Sequence, residues 1–571
     1  MNFKINYDDL FEDFKKKYQS YLINVALINK ENLSWENFIE PLIELREHPI
    51  INYLNLSFFH PDEKIRDKLN DITTKYEELN IEFWSNRDYF NFFQYYFLNC
   101  SNKLNPIQKR LLDKWMINFE DSGIIFSNYQ TIMNLKKELN LLNKQFEKNT
   151  TENKVSIVID NKEYNLDYLN YTNLMKNTQS DEIKKEIYFT KYNSLKENID
   201  LLEKIIKKRK EIANALVFKN YADYKLKNRI LRDGDKVEKF LLSIKDEFNN
   251  RWQQEKKLIN NDTELTDYNM IYYIEQTRKR LFKNNFTFPR EETFNKIINV
   301  FEKIFDLIFI PTNHSSWHSS VKVYQVNNNN TSYYLYFDLD SRDGKYDHFA
   351  CFPLDKTSCA LVGNFENNIN LEDVETIFHE LGHMIHYISN NSYRDLSSFD
   401  CEFDFIETPS QLMEYFVYHE TILKFIKPNI TTLEINQIKE YQKLFNGYEY
   451  LRQLKLSLFD LKLNQNFNNN LNQYYQELSN QIIDIKYHQT NYPAHFEHLV
   501  GEYESGYYSY LWSRIYALKI FKVFENNLND FNNLNKIGKS FRENILTIGG
   551  TNDTLPILEK WLNNNLILEL D

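Results

Sequence analysis

The sequence predicts a mainly α-helical protein, and three of its properties support this fold class. Only 11 glycines and 11 prolines occur in 571 residues, so few of the residues that form tight turns between strands are present. Apolar residues recur at the spacing of amphipathic helices over most of the first 300 residues. The chain is longer than one small hydrophobic core requires, and we therefore expect at least two lobes.

The helical spacing predicts a series of long helices in the first half of the chain. Five tracts show it most clearly: residues 7–30, 109–149, 181–218, 235–258 and 268–286. No linker rich in proline, glycine or serine separates these tracts, so the lobes are expected to share long connecting helices. We expect an N-terminal helical lobe over residues 1–215 and a catalytic lobe over residues 216–571.

Two shorter regions alternate between apolar and polar residues, as strands with one buried face do. Residues 155–166 predict a hairpin that turns at Asp160-Asn161. Residues 321–326 and 333–338 predict two strands on either side of an asparagine-rich loop at 327–330. A small β-sheet is therefore expected near residues 321–366.

Charge and composition exclude several classes of function. The chain contains 69 Lys and Arg against 81 Asp and Glu, and a net charge of −12 is poorly suited to a nucleic-acid phosphate backbone. No uncharged stretch is long enough to span a bilayer, and the N-terminus has no signal or transit character. The four cysteines form no Cys-x-x-Cys pair. We expect a cytoplasmic monomer without nucleic-acid or membrane partners.

A His-Glu-x-x-His motif at residues 379–383 predicts a metal site. On a helix, His379 and His383 lie one turn apart on the same face, so both imidazoles can reach one tetrahedral ion. Glu380 then lies beside the metal, where it can take a proton from a water molecule. Asn370 can cap this helix, and the ligand types favour one zinc ion.

Two other residues of this helix lead to further expectations. His386 lies two turns from His379, too far to share the ion, and we expect it either to support the site or to have a structural role. Gly382 costs about 1 kcal/mol relative to alanine in mid-helix, which predicts that another segment approaches the backbone closely there.

A third metal ligand has to come from a carboxylate farther along the chain. Pro409 and the Thr408-x-x-Gln411 pattern predict a helix start directly after Glu407, which would fix that side chain at a rigid position. Spacing alone leaves six candidates: Asp395, Asp400, Glu402, Asp404, Glu407 and Glu414.

The segments 378–386 and 404–414 together resemble the family of thimet oligopeptidase, neurolysin and dipeptidyl carboxypeptidase. The second segment reads Asp-Phe-Ile-Glu-Thr-Pro-Ser-Gln-Leu-Met-Glu. The resemblance implies that Glu407 is the third zinc ligand and that Glu414 supports the ligand set. Residues 360–365 resemble the edge strand that pairs with bound peptide in this family, which implies substrate-binding roles for Gly363 and Asn364.

Residues 496–512 resemble the tyrosine-rich substrate loop of the same family. The match implies that His498, Tyr503, Tyr507 and Tyr510 face the substrate, whereas Tyr508 is expected to point into the core. Phenol and imidazole donors can stabilise the oxyanion of peptide hydrolysis by about 3 kcal/mol each. Two departures from the family pattern, Glu502 and Asp347, stand where glycine is expected and imply a stiffer loop and a more acidic channel.

The resemblance implies a zinc-dependent endopeptidase that hydrolyses short unstructured peptides inside a deep central channel of a two-lobed helical body. Glu380 would act as general base, and Tyr510, His498 and Tyr507 would stabilise the reacting carbonyl. The main alternative is a peptidyl-dipeptidase that releases carboxy-terminal dipeptides. An oligoendopeptidase of the bacterial F type is disfavoured by the Glu-x-Pro-Ser-Gln segment that begins at Glu407. A catalytically silent peptide-binding homologue is disfavoured by the complete His, Glu and Tyr set. A structural zinc site is disfavoured because no Cys or His is placed to serve as fourth ligand.

Overall fold

The computed structural model describes residues 3, 5–259, 264–282, 286–328, 331–346, 348–501 and 503–562. Asp347, Glu502 and the two asparagines at 329–330 lie outside this set. The mainly α-helical fold is confirmed. The helices before residue 310 are α1 (Tyr7–Leu27), α2 (Glu40–Arg46), α3 (Glu63–Trp84), α4 (Arg87–Cys100), α5 (Pro106–Ser122), α6 (Tyr129–Glu152), α7 (Tyr168–Asn177), α8 (Asp181–Tyr192), α9 (Lys196–Ala215), α10 (Tyr221–Leu226), α11 (Gly234–Lys256), α12 (Met270–Leu281) and α13 (Arg290–Phe305).

The remaining elements surround the motifs identified above. The later helices are α14 (Leu371–Ser389), α15 (Thr408–Val417), α16 (Glu420–Ile426), α17 (Thr432–Lys443), α18 (Asn446–Asn464), α19 (Leu471–Ile482), α20 (Ser509–Glu525), α21 (Phe531–Phe541) and α22 (Thr554–Trp561). The strands are β1 (Ser156–Ile159), β2 (Lys162–Asn165), β3 (Thr287–Pro289), β4 (Phe309–Thr312), β5 (Lys322–Asn328), β6 (Thr331–Asp338), β7 (Ala350–Asp355), β8 (Ser358–Val362) and β9 (Asn368–Asn370).

Two of the predicted helical tracts are each divided into two helices. Gly123, with φ of +86°, ends α5, and a Cβ at this position would lie 2.6 Å from Ile132. Leu195, with φ of 55°, separates α8 from α9 in the same left-handed conformation. A single left-handed residue barely changes the spacing of apolar residues along the sequence, which is why periodicity alone did not reveal either break.

The predicted hairpin is confirmed, and two of the four asparagines predicted to form a loop belong to a strand. β1 and β2 pair antiparallel, and Asp160 and Asn161 between them have φ of 50° and 64°, as a tight hairpin turn requires. Asn327 and Asn328 continue β5, where Asn328 pairs with Thr331 of β6. Strand pairing therefore overrides the low strand propensity of asparagine at these two positions.

A five-stranded sheet in the order β4-β5-β6-β8-β7 confirms the small sheet expected near the metal helix. β8 lies between β6, to which it is parallel, and β7, to which it is antiparallel. The interpretation of residues 360–365 as an edge strand is therefore wrong, because β7 occupies that edge. Sequence pattern alone could not assign the edge, since it depends on which strands meet in the folded chain.

The sheet separates two hydrophobic cores. On one face, Tyr336, Ala360 and Val362 pack with the buried residues of α1–α5. On the other face, Leu335 and Leu361 join a larger core that includes α13, α14 and most later helices. None of the described helices combines the length and apolarity needed to cross a lipid bilayer. The lobe boundary at residue 215 and the central channel stay predictions.

Candidate metal centre

The helix α14 holds both histidines of the motif, and its first turn is fixed by side-chain caps. The Asn370 side chain accepts the backbone N–H of Asp373 at 2.9 Å, and the Asp373 carboxylate accepts the N–H of Asn370 at 2.9 Å. This reciprocal pair satisfies two donors that a helix start leaves free. The predicted cap at Asn370 is confirmed, and it anchors α14 nine residues before the first candidate ligand, His379.

Three candidate ligands lie close together around α14. Glu407 Oε2 lies 3.3 Å from His379 Nε2 and 3.3 Å from His383 Nε2. Two ligand atoms of a tetrahedral zinc ion, each about 2.0–2.1 Å from the metal, are separated by roughly 3.3–3.4 Å. The observed spacing therefore fits one zinc ion, and the donors are two imidazoles and one carboxylate, as zinc prefers.

The position of Glu407 follows from the start of α15. The helix begins at Thr408, and Pro409 occupies its first turn, where a missing N–H leaves no bond unmade. The sequence left open whether this helix starts here or continues from an earlier segment, and the structure shows a start. Ser410 Oγ donates to Glu407 Oε2 at 2.9 Å, which fixes the carboxylate further.

Gly382 explains how α15 comes so near to α14. A Cβ at Gly382 would lie 2.7 Å from the carbonyl oxygen of Pro409 and 2.7 Å from Cα of Ser410. The close backbone approach expected at Gly382 is therefore confirmed. This contact sets the distance between the helix that bears the two histidines and the residue before α15, Glu407.

The electrostatics of the three side chains favour a cation between them. Burial alone would raise the pKa of Glu407, but the imidazoles of His383 and His379 hold it well below its usual range. Burial would lower the pKa of His379, yet hydrogen bonds to Glu407 and Glu414 raise it well above its usual range. Both shifts show that the carboxylates favour positive charge at this point, which a divalent ion would supply.

Glu414 orients His379 from the side opposite the metal position. Its Oε1 lies 2.7 Å from His379 Nδ1, so the ring can donate there and present Nε2 to the metal. Its Oε2 lies 2.8 Å from Arg514 Nη1, on α20. Sequence reasoning expected the supporting position of Glu414 but missed Arg514. The one available signal is that Arg514 lies one helical turn after Tyr510.

Glu380, the residue after His379, is buried and has one carboxylate oxygen without a partner among the described residues. The side chain belongs to a residue that is only 6% exposed. Its Oε2 has no hydrogen-bond partner within the described part of the chain. An uncommitted carboxylate oxygen one residue after a candidate ligand can accept a proton there.

Of the two roles expected for His386, its contacts favour the structural one. Both ring nitrogens lack a hydrogen-bond partner among the described residues. The ring packs edge-on against Phe399 and Phe405, with centroids 6.0 Å apart in each case. Burial lowers the pKa of His386 to about 3, so the imidazole is neutral. The ring fills an aromatic part of the core and bonds to none of the three candidate ligands.

The tyrosine-rich segment brings together the four side chains predicted to face the substrate. The Tyr503 and Tyr510 rings stack at 5.5 Å, and their hydroxyl groups are 2.9 Å apart. The His498 ring lies edge-on to Tyr503 at 5.0 Å and to Tyr507 at 5.1 Å. Burial lowers the pKa of His498 and raises the pKa of Tyr507 to about 12, which favours the neutral form of both side chains.

Tyr508 and the segment after β8 have other environments. Tyr508 is buried, as expected, and its hydroxyl group donates to Asp404 at 2.6 Å. The N–H of Gly363 donates to the carbonyl of Asp338 at 2.9 Å, and the Asn364 side chain donates to the carbonyl of Tyr346 at 2.8 Å. Both of these donors already form hydrogen bonds within the protein. Peptide binding by Gly363 and Asn364 stays a prediction.

A helical protein with a His-Glu-x-x-His helix and a glutamate entering the site from the next helix belongs to the class of metallopeptidases. The comparison with protein families makes this assignment specific. The model of peptidase family M3 matches residues 174–566. The chain belongs to peptidase family M3, and the resemblance found in the motifs is confirmed.

Individual relatives agree with this assignment. The chain is 27% identical to saccharolysin of Saccharomyces cerevisiae, over 93% of this chain and 88% of that protein. It is 24% identical to a thimet-like oligopeptidase of Dictyostelium discoideum, over 98% and 97% of the two chains. A Bacillus anthracis structure assigned as oligoendopeptidase F shares the fold with a TM-score of 0.62 at 14% identity, over 97% and 92% of the chains.

Proposed function

We propose that this protein is a zinc-dependent endopeptidase that hydrolyses short, unstructured peptides. The observation that carries the proposal is the position of Glu407 Oε2, 3.3 Å from both candidate histidine ligands, in a chain of peptidase family M3. The relative from Dictyostelium discoideum is named an oligopeptidase, which supports peptides rather than folded proteins as substrates.

His379, His383 and Glu407 would hold the ion, and Glu414 would keep His379 in the required tautomer. The chemistry that zinc would supply at these residues is a lower pKa for a water molecule and polarisation of a peptide carbonyl. The uncommitted carboxylate of Glu380 would accept the proton of the attacking water at an oxygen atom. It would then pass that proton to the amine nitrogen that leaves as the peptide bond breaks.

The tyrosine-rich segment would stabilise the carbonyl oxygen as negative charge develops on it. Tyr510 and His498 are proposed donors, and Tyr507 is a third. Tyr503, whose hydroxyl group lies 2.9 Å from that of Tyr510, would contact bound peptide. Such donors act most strongly where water is excluded, and a channel between two helical lobes would provide that environment while admitting only unfolded chains.

A mixed set of short peptides, analysed by mass spectrometry, tests the proposed activity. We expect internal cuts that a chelator abolishes and that added zinc restores, because the proposed mechanism requires an ion held by the three ligands. Cleavage that removes only carboxy-terminal dipeptides would instead show a peptidyl-dipeptidase. Cleavage that resists complete metal removal would contradict the proposal.

Glu380→Gln separates catalysis from metal binding. We expect this variant to retain one zinc ion per chain and to lose at least about 100-fold in kcat, because an amide cannot accept the proton. Glu372→Gln is the matched control, since Glu372 is an exposed residue in the first turn of the same helix. Near wild-type turnover by Glu380→Gln would remove Glu380 from the proposed role.

A further inference from the structure

The segment that bears His498, Tyr503, Tyr507 and Tyr510 is held in place by a buried carboxylate outside the site. This carboxylate belongs to Asp460 on α18, and the residue is 1% exposed. Its Oδ1 accepts the backbone N–H of Ser505 at 2.9 Å, and its Oδ2 accepts the N–H of Tyr507 at 3.1 Å. Both carboxylate oxygens are therefore bound to the segment that leads into α20.

The backbone of this segment needs such support. Ser505 has a φ of +60°, in the left-handed region that side chains other than glycine adopt at a cost. The residue is fully buried, and its hydroxyl group has no hydrogen-bond partner within the described residues. The bond from the Ser505 N–H to Asp460 is therefore the polar contact that keeps this residue in its strained conformation.

A second buried charge holds the other end of the same segment. Arg209 of α9 is 1% exposed, and its Nη2 donates to the carbonyl of Leu499 at 2.7 Å, next to His498. Its Nη1 donates to Asn464 Oδ1 at 3.0 Å, and the Asn464 amide donates to Asp460 Oδ1 at 3.2 Å. Arg209, Asn464 and Asp460 thus form one connected set beneath the segment.

We propose that Asp460, supported by Arg209 through Asn464, is a positioning residue for catalysis. It fixes the part of the tyrosine-rich segment over residues 503–510, and Arg209 fixes the part next to His498. The inference rests on the proposed function, because it assumes that Tyr510 and His498 act on substrate. Asp460 itself contacts none of the candidate metal ligands among the described residues. Its role is to hold the backbone from which Tyr507 and Tyr510 project.

The chain offers a matched control with the same chemistry elsewhere. Glu255 is also buried, and its two oxygens accept the backbone N–H groups of Gly447 at 2.8 Å and Tyr448 at 3.1 Å. It therefore binds the start of a helix, α18, in the way that Asp460 binds the segment before α20. Glu255→Gln and Asp460→Asn make the same change, from carboxylate to amide, at comparable sites.

The experiment combines steady-state kinetics with hydrogen exchange on both variants and on the wild type. For Asp460→Asn we expect kcat to fall about 10-fold with little change in KM, at unchanged zinc content, because the new NH₂ group cannot accept an N–H. The amides of Ser505 and Tyr507 should exchange faster. Glu255→Gln should speed exchange only at Gly447 and Tyr448 and leave kcat within about twofold.

The outcomes separate this inference from the proposed function. A wild-type protein that cleaves no peptide overturns the proposed function. An Asp460→Asn variant with unchanged hydrogen exchange at Ser505 and Tyr507 overturns the positioning role of Asp460 alone. Faster exchange with unchanged kcat, or equal losses of kcat in both variants, also overturns it. If Asp460→Asn does not fold, the same readouts are taken with Ser505→Gly added, because glycine adopts a positive φ without strain.

Discussion

At the scale of single residues, two of the candidate metal ligands are each held by a neighbouring side chain. His379 is held by Glu414, Glu414 is held by Arg514, and Glu407 accepts a bond from Ser410. Such neighbours are typically responsible for about 10–100-fold in metal affinity or activity, because they set the orientation and tautomer of the ligand.

Tyr510 and Tyr508 provide a test of which tyrosines of the segment act in catalysis. For Tyr510→Phe we expect kcat to fall about 10–100-fold with a small change in KM, because a donor to the developing negative charge is removed. For Tyr508→Phe we expect a loss of about 1–3 kcal/mol in stability, because its buried bond to Asp404 is lost. Kinetics and thermal unfolding measure both effects. An effect of Tyr510→Phe confined to KM would make Tyr510 a binding residue.

The residues found from sequence are those whose chemistry shows in a local pattern. His379, Glu380 and His383 follow from a five-residue spacing, whereas Glu407 was one of six carboxylates until the resemblance singled it out. Arg514 and Asp460 belong to no local pattern, since their partners are distant in sequence and come together only in the fold. For His386 the sequence left a supporting and a structural role open for a related reason, because the aromatic neighbours that favour the structural role come from the segment after α14.

At the scale of elements, the metal centre depends on how closely α15 crosses α14. Gly382 permits the contact, and Glu407 reaches the two histidines because of it. The cap signal at Asn370 was sufficient to predict where α14 begins, whereas Pro409 indicated a start for α15 that the sequence alone left open. The order of β6, β8 and β7 was not predictable in that way, because an inner strand and an edge strand can share the same apolar pattern.

Gly382→Ala tests this dependence. The added methyl group would lie 2.7 Å from the backbone of Pro409 and Ser410, and backbone atoms cannot move aside without separating the helices. We expect a lower unfolding temperature and weaker zinc retention in a chelator competition. Alanine otherwise favours a helix by about 1 kcal/mol, so a destabilised variant is evidence for the contact. Thr376→Ala, on a half-exposed position of α14, is the control, and equal zinc retention in both variants would contradict the prediction.

At the scale of the whole molecule, the five-stranded sheet joins the core of α1–α5 to the core that contains the site. The site thus rests on a body that also contains several buried charges. Burial raises the pKa of Glu255 to about 7 and that of Asp460 to about 7, although backbone N–H groups oppose both shifts. The helical body was predictable from composition and periodicity, but these buried carboxylates were not distinguishable from surface ones in the sequence.

Glu255 leads to a prediction about pH and stability. A carboxyl whose pKa is about 7 when folded and about 4.3 when unfolded binds more protons in the folded state between these values. The contribution of Glu255 to the free energy of unfolding therefore falls as the pH rises from about 4.3 to about 7. Between pH 5.5 and 8 the loss is about 1–2 kcal/mol. Glu255→Gln cannot ionise, so its stability relative to the wild type should improve by that amount between pH 5.5 and 8.

Urea unfolding of wild type and variant at both pH values measures this difference. Glu434→Gln is the control of opposite character, because Glu434 is a half-exposed side chain whose pKa is lowered by its bonds to Thr431. Its carboxylate is ionised in the folded and the unfolded chain across this range, so its stability difference from wild type should stay constant. A constant difference for Glu255→Gln as well would show that the folded protein holds Glu255 ionised throughout. The two N–H bonds from the start of α18 would then outweigh the effect of burial on that carboxylate.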